Sequence, residues 1–256
     1  MRIGLIGAGN VGWNLVAGFA GSSFEVIQVL SRNGASAQSL AAEFSIPHHG
    51  VAPDDLLSDL DLVILATSDH SVAQAAQAIG LRSPNTTFVH TSGSIPLNAL
   101  SPTGNRIGVF YPMQTFTRGR KADWRSIPLF LEGNQEVIDL IRPAAEHLSD
   151  RVSLLDSAGR LKLHMGAVLV SNFVNYLFLL AQEFVQDLPD ADLSTYEPLI
   201  REVVDKAFAI GPLQAHTGPA RRGDQVTMQK HLDLLQGKEK DLYQLLSDMI
   251  YDRFNG

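Results

Sequence analysis

Apolar and polar positions over the first 156 residues fall into short alternating blocks of two kinds. Brief aliphatic runs at 3–6, 26–30, 62–66, 87–90, 106–111, 127–131 and 152–155 predict strands, with a short further strand at 48–51. Between them, apolar positions at helical spacing predict helices over 11–20, 35–44, 72–79 and 134–148. A short helix is expected over 54–59, started by Pro53 and Asp54, and another begins around Pro96 and Leu97. The run 62–66 is apolar throughout, as in a central parallel strand covered on both faces. Such alternation predicts a doubly wound parallel α/β sheet. It stops near Asp156, and from Ser157 the pattern is helical: one long helix over 158–187, another over 195–210 ended by Gly211 and Pro212, a turn or loop over 213–223, a helix capped by Asp224 running to 235, and a last one over 238–253. The expected organisation is an α/β domain over 1–156 and an all-helical domain over 157–256.

The first strand runs into Gly7-Ala8-Gly9-Asn10-Val11-Gly12, a G-x-G-x-x-G turn opening the first helix. The first glycine permits the tight turn, the second lets backbone approach a pyrophosphate, and the third lets helix and strand pack closely. The positive end of the helix then faces the phosphates. Strand, turn, helix and second strand in one βαβ unit make this a Rossmann dinucleotide site rather than a chance triplet. An Asp or Glu closing the second strand would accept from an NAD ribose, but here stand Ser31 and Arg32, which suit a 2′-phosphate. NADP(H) is therefore expected over NAD(H), the competing role for Arg32 being a solvated loop cation. Thr67 and Ser68 follow the central strand, where doubly wound sheets bind ligands, and are expected to line the cofactor. Asp69 is read either as a helix cap or as part of that lining. Residues 91–94, Thr-Ser-Gly-Ser, either approach a nicotinamide and substrate or form a capped turn.

Composition narrows the class. The 256 residues are 45% hydrophobic and 18% charged with formal net charge −7, and no basic cluster extends beyond 118–121 and 221–222, so no nucleic-acid surface is indicated. Without a cysteine there is no disulfide, thiolate nucleophile or thiolate-held metal. His48 and His49 are adjacent on a strand and face opposite ways with no ligand nearby, so no metal site is expected. The start of the chain goes directly into a strand, from which a cytoplasmic protein is expected. The apolar stretch 163–181 raises the question of a membrane span, but it carries His164, Ser171, Asn172 and Asn175, and a helix buried at a domain or subunit interface is expected instead.

On one continuous helix, with His164 as zero, Ser171 falls at about −20°, Asn175 at about +20°, Gln182 at about 0° and Asn172 at about +80°, a polar stripe on an apolar helix, while Lys162 lies at about 160°. Each such group costs roughly 1–3 kcal/mol if buried unpaired, so the stripe needs partners, water or a ligand. Either a helix–helix network or a pocket facing a nicotinamide would satisfy it. In the second case His164 is the candidate proton donor to a reduced carbonyl or imine, an imidazole's ordinary pKa lying near neutrality. Asn172 would act beside it, with Ser92, Tyr111 and Asn175 positioning substrate and Arg222 clamping a carboxylate bidentately. His216 and His231 are read as structural, and Asp224 as a cap. A small polar substrate reduced or oxidised by hydride transfer is the expected function. A dinucleotide-binding sensor or interaction module without turnover, and a deazaflavin-dependent reductase, are the alternatives.

The residues 7–12, 90–94, Tyr111-Pro-Met-Gln-Thr-Phe116, 164–172 and 217–224 resemble those of Rossmann-like proteins carrying a C-terminal domain of unknown function, the 2520 family, described as NADP-dependent oxidoreductases. More distantly the chain is similar to pyrroline-5-carboxylate reductases, ketopantoate reductases and the 6-phosphogluconate dehydrogenase group. The resemblance implies a catalytic cleft between the two domains and a homodimer formed through the C-terminal helices. Family members commonly have His where this chain has Tyr111, so an acid–base role does not carry over to that position; a phenol of ordinary pKa near 10 is a poorer proton shuttle. Nor does the lysine mechanism of the hydroxyacid dehydrogenases, since Lys162 lies off the polar face.

Overall fold

The computed structural model describes all residues except 82, 83 and 105. Among the described residues eight strands form one sheet in the order β3-β2-β1-β4-β5-β6-β7-β8: β1 Arg2–Ile6, β2 Glu25–Leu30, β3 His48–Gly50, β4 Leu62–Leu65, β5 Thr87–His90, β6 Ile107–Pro112, β7 Leu129–Gly133 and β8 Val152–Leu154. All neighbours are parallel except β6 and β7, so the last two strands run against the rest. Strand periodicity splits the core in two. Ile3, Leu5, Leu62 and Ile64 face one cluster, with helices α1 Asn10–Phe19, α2 Gly34–Phe44 and α4 Gln135–Leu148. Val63, Leu65 and Phe88 face the other, with α3 Asp69–Ile79 and the 3₁₀ segment Leu97–Thr103.

Several expected elements take a different form. Residues 54–59 are no helix: only Pro53–Asp55 turns, because Asp55 folds its carboxylate back onto the Val51 and Ala52 amides at 2.9 Å each. The long helix over 158–187 is two helices, α5 Ser157–Val170 and α6 Asn172–Val185. They meet at Ser171 (φ −124°, ψ −68°), whose hydroxyl donates back to the Ala167 carbonyl at 2.6 Å. A rotation counted across Ser171 therefore does not describe the real faces. The presumed loop 213–223 holds two short helices, α8 Pro212–Ala215 and α9 Pro219–Arg222, each begun by proline. They follow α7 Glu197–Ile210 and precede α10 Gln225–Leu234 and α11 Gly237–Asn255. Asp224 caps α10 as expected, accepting from the Thr227 amide at 3.0 Å.

By packing, the chain divides into two compact units, Met1–Asn175 and Tyr176–Gly256. The alternation of strands and helices ends at Asp156, yet α5 packs with the sheet. In the second unit Arg221 lies 4.8 Å from the Phe254 ring centre, and His216 stacks on that ring at 5.0 Å.

Candidate functional site

The outer glycines of the first turn have the tight-turn and close-packing roles their positions predict. Gly7 sits at φ +114°, and a Cβ there would lie 2.3 Å from the Ala66 carbonyl oxygen. A Cβ on Gly12 would lie 2.1 Å from the Gly7 oxygen, while one on Gly9 meets nothing within 4 Å. The outer two glycines are thus fixed by packing, while the space beside the middle one is open. Val11 packs against the core. Asn10 does something the sequence did not signal: its Oδ1 accepts from the Arg118 amide at 3.1 Å. Buried Asn14 donates to the Thr117 carbonyl at 3.1 Å and accepts from the Ala122 amide at 3.2 Å, so the loop after β6 is tied across the head of α1.

A cavity of about 420 Å³ opens beside this turn and brings together Gly7, Ala8, Gly9, Ser31, Arg32, Thr67 and Ser68. Its floor is apolar, with Ile6, Leu30, Ala75 and Ile79, and Arg32 is exposed at its edge. Asp69 is neither cap nor lining of this cavity. Ser68 holds the N-cap position of α3, and the Asp69 carboxylate accepts from the Ser94 hydroxyl in a short contact.

Residues 91–94 form a capped turn: the Ser92 hydroxyl accepts from the Ser94 and Ile95 amides, both at 3.1 Å, leaving its own proton free to donate. Against this turn lies His164. A Cβ on Gly93 would fall 2.5 Å from His164 Nδ1, so glycine is what admits the imidazole. The Tyr111 hydroxyl lies 3.1 Å from the same nitrogen, with the two rings edge to face. Burial pushes the Tyr111 phenol pKa up, the Arg160 guanidinium opposes that, and the Asp69 carboxylate adds to it. Three segments far apart in sequence therefore converge at the carboxyl ends of β5 and β6, on the sheet edge that carries the phosphate turn.

The structure does not bring the remaining stripe residues to this point. Asn172 is exposed and accepts from the Ser171 hydroxyl at 3.0 Å, and Asn175 is exposed. The premise of a buried polar stripe is not met within the single chain. Arg222 lies exposed at the end of α9, in the second unit.

Sequence reasoning missed the most buried charge of the site. Arg160, 1% exposed, pairs with Glu132 of β7 in a very short contact and donates from Nε to the Ser92 carbonyl at 3.1 Å. The signal was present, since Arg160 is four residues before His164 and shares its helix face.

His90 is wholly buried at the end of β5. Its Nδ1 accepts from the Ser92 amide at 3.2 Å, which leaves the proton on Nε2. Burial first, then the Arg160 charge, push its pKa down from 6.5 to about 4, against the Pro96 carbonyl and the Asp69 carboxylate. The folded state therefore binds fewer protons than the unfolded one, and stability falls as pH drops from 6.5 towards 4. The full effect is about 3 kcal/mol. Urea titrations at several pH values should show it in the wild type, and His90→Gln should lack that part of the slope.

A glycine phosphate turn, a sheet reversing between β1 and β4, and a hydroxyl-rich edge with an imidazole define an NAD(P)-dependent oxidoreductase of the Rossmann class. Residues 2–89 match the family described as NADP oxidoreductase coenzyme F420-dependent, and residues 127–250 match the Domain of unknown function (DUF2520). A candidate NADP oxidoreductase from Bacteroides fragilis is 34% identical, with 98% of each chain covered and a TM-score of 0.90. The chain belongs to this family of NADP oxidoreductases, in which an NAD(P)-binding Rossmann domain is joined to a DUF2520 domain. Two further structures share the fold. An imine reductase from Myxococcus stipitatus in complex with NADP+ is 15% identical over 98% of this chain and 92% of its own (TM-score 0.61). Prephenate dehydrogenase from A. aeolicus, in complex with hydroxyphenyl propionate and NAD+, is 14% identical over 99% and 94% (TM-score 0.61). No curated protein matches the sequence significantly.

Proposed function

We propose that the protein transfers hydride between NADP(H) and a small polar, carboxylate-bearing substrate at the edge formed by Ser92, Tyr111 and His164. The observation that carries this is the His164–Tyr111 contact over Gly93, on the same sheet edge as the open Gly9 turn. When bound, the nicotinamide supplies or accepts the hydride. In the reducing direction His164 gives its proton to the oxygen or nitrogen of the C=O or C=N group as carbon gains the hydride, and Tyr111 holds the imidazole in register. Ser92 donates its free hydroxyl proton to the substrate. The hydroxyphenyl propionate held by the A. aeolicus enzyme, itself a carboxylate, supports that substrate class, and the imine reductase supports a C=N acceptor.

Gly7 to Gly12, Ser31, Arg32, Thr67 and Ser68 are assigned to the cofactor, with Arg32 reading the 2′-phosphate. Arg32→Ala is expected to weaken NADPH roughly 10-fold or more, the worth of a charge-assisted contact, while leaving NADH affinity nearly unchanged. Calorimetry with both nucleotides decides it, and equal losses for the two would remove Arg32 from that role. The description of the family matched by residues 2–89 favours a second reading, a deazaflavin-dependent reductase. Tighter binding of coenzyme F420 than of NADPH in the same titration would favour it.

The helical residues 157–256 are assigned to substrate and to self-association. The span Ser157–Val185 is long and apolar enough to cross a membrane by length and composition, and none of its most apolar window is buried within the chain. Phe173, Tyr176, Phe184 and Phe208 are each at least half exposed. Apolar area on this scale marks an interaction face, which we assign to a second copy, the helices forming a homodimer. Sedimentation without detergent should give about twice 27.8 kDa. A monomer, or a requirement for lipid, would overturn the assignment.

A further inference from the structure

The reaction above leaves one buried cation unused. Arg160 has four hydrogen-bonding directions engaged: Nε to the Ser92 carbonyl at 3.1 Å, Nη1 to Glu132, and Nη2 to the Ile95 carbonyl and, at 3.3 Å, the Ser157 hydroxyl. Its partners come from three places: the turn after β5, strand β7 and the first residue of α5. Glu132 is shared, since the Ser157 hydroxyl lies 2.9 Å from each of its oxygens, and that hydroxyl also accepts from the Leu97 amide at 3.0 Å. With 1% exposure and four of its five N–H donors engaged, this guanidinium is no clamp for a substrate carboxylate.

What it fixes is the start of α5. One helical turn further on, His164 rests on Gly93 and meets Tyr111. Arg160 holds the two ends of the same turn, Ser92 and Ile95, that Gly93 interrupts. The spacing along a helix is rigid over four residues, so the position of the guanidinium sets that of the imidazole. We propose that Arg160, clamped by Glu132, is a positioning residue that latches α5 to the Ser92–Ile95 turn and thereby holds His164 against Tyr111. Its consequence for catalysis rests on the function proposed above; the latch itself does not.

The test reads the pair directly. In protein labelled with ¹⁵N-histidine, Tyr111→Phe should move the His164 ring resonances, which His164→Gln assigns. Arg160→Lys keeps the charge but replaces the planar fork by a point donor, and Glu132→Gln keeps the shape but removes the counter-charge. In either background, with fold confirmed by circular dichroism, Tyr111→Phe is expected to leave the His164 resonances where they were. A brace with no bearing on the pair would lower Tm in these variants and leave the Tyr111-dependent shift at its wild-type size, which would overturn the proposal, as would absence of that shift in the wild type. Should Arg160→Lys fail to fold, Glu132→Gln carries the decision. NADPH calorimetry on the wild type reports separately on the proposed function: no binding there would sink that reading without touching the resonance comparison.

Discussion

Gly7→Ala and Gly12→Ala are expected to abolish NADPH binding and to destabilise the fold, whereas Gly9→Ala should abolish or cripple binding alone. The distinction comes from what each new methyl group meets. At position 7 it would lie 2.3 Å from the Ala66 carbonyl oxygen on a backbone with φ +114°, and at position 12 it would lie 2.1 Å from the Gly7 oxygen. Both neighbours are main chain and cannot swing aside. Strain in the left-handed region adds about 1–3 kcal/mol and overpacking a similar amount, so a loss of roughly 2–6 kcal/mol is expected for Gly7→Ala. At position 9 the methyl meets nothing within 4 Å, so stability should stay within about 0.5 kcal/mol of wild type. That space is the one we assign to the diphosphate. Thermal melts with and without NADPH separate the three variants, and a Gly9→Ala protein that bound NADPH as the wild type does would place the phosphates elsewhere.

The second large effect is expected at the imidazole. On a substrate found by screening carbonyl, imine and alcohol libraries, His164→Ala should lower kcat by about 10²–10⁴, the usual contribution of a positioned acid. Gly93→Ala tests the same claim without altering the imidazole. The added Cβ would stand 2.5 Å from His164 Nδ1, so the ring must leave Tyr111, and turnover should fall nearly as far. NADPH affinity should be unaffected in both. Intact turnover in His164→Ala would refute the acid assignment. NADPH binding with no turnover on any member of the library would leave a dinucleotide sensor as the function.

Much of this molecule is legible locally. Buried strands such as Leu62–Leu65 announce themselves as short apolar runs, α4 by its period, and the phosphate turn by three glycines at fixed spacing. The break at Ser171 was not legible, because a serine hydroxyl turning back on the Ala167 carbonyl leaves no trace in hydrophobic periodicity. The short helices of 212–222 were hidden for a related reason: proline and glycine there mark both turns and helix ends.

The sequence by itself determined the order of the strands, the glycine turn, and the candidacy of His164, since each depends on residues within a few positions of one another. The tertiary structure alone decided that His164 lies on Gly93 and beside Tyr111, that Arg160 is buried against Glu132, and that Asn10 and Asn14 tie down the loop near Arg118. Those contacts join residues 28 to 108 positions apart. Their energies depend on chain closure and on the water excluded around them, and neither is written in the spacing of side chains along the chain.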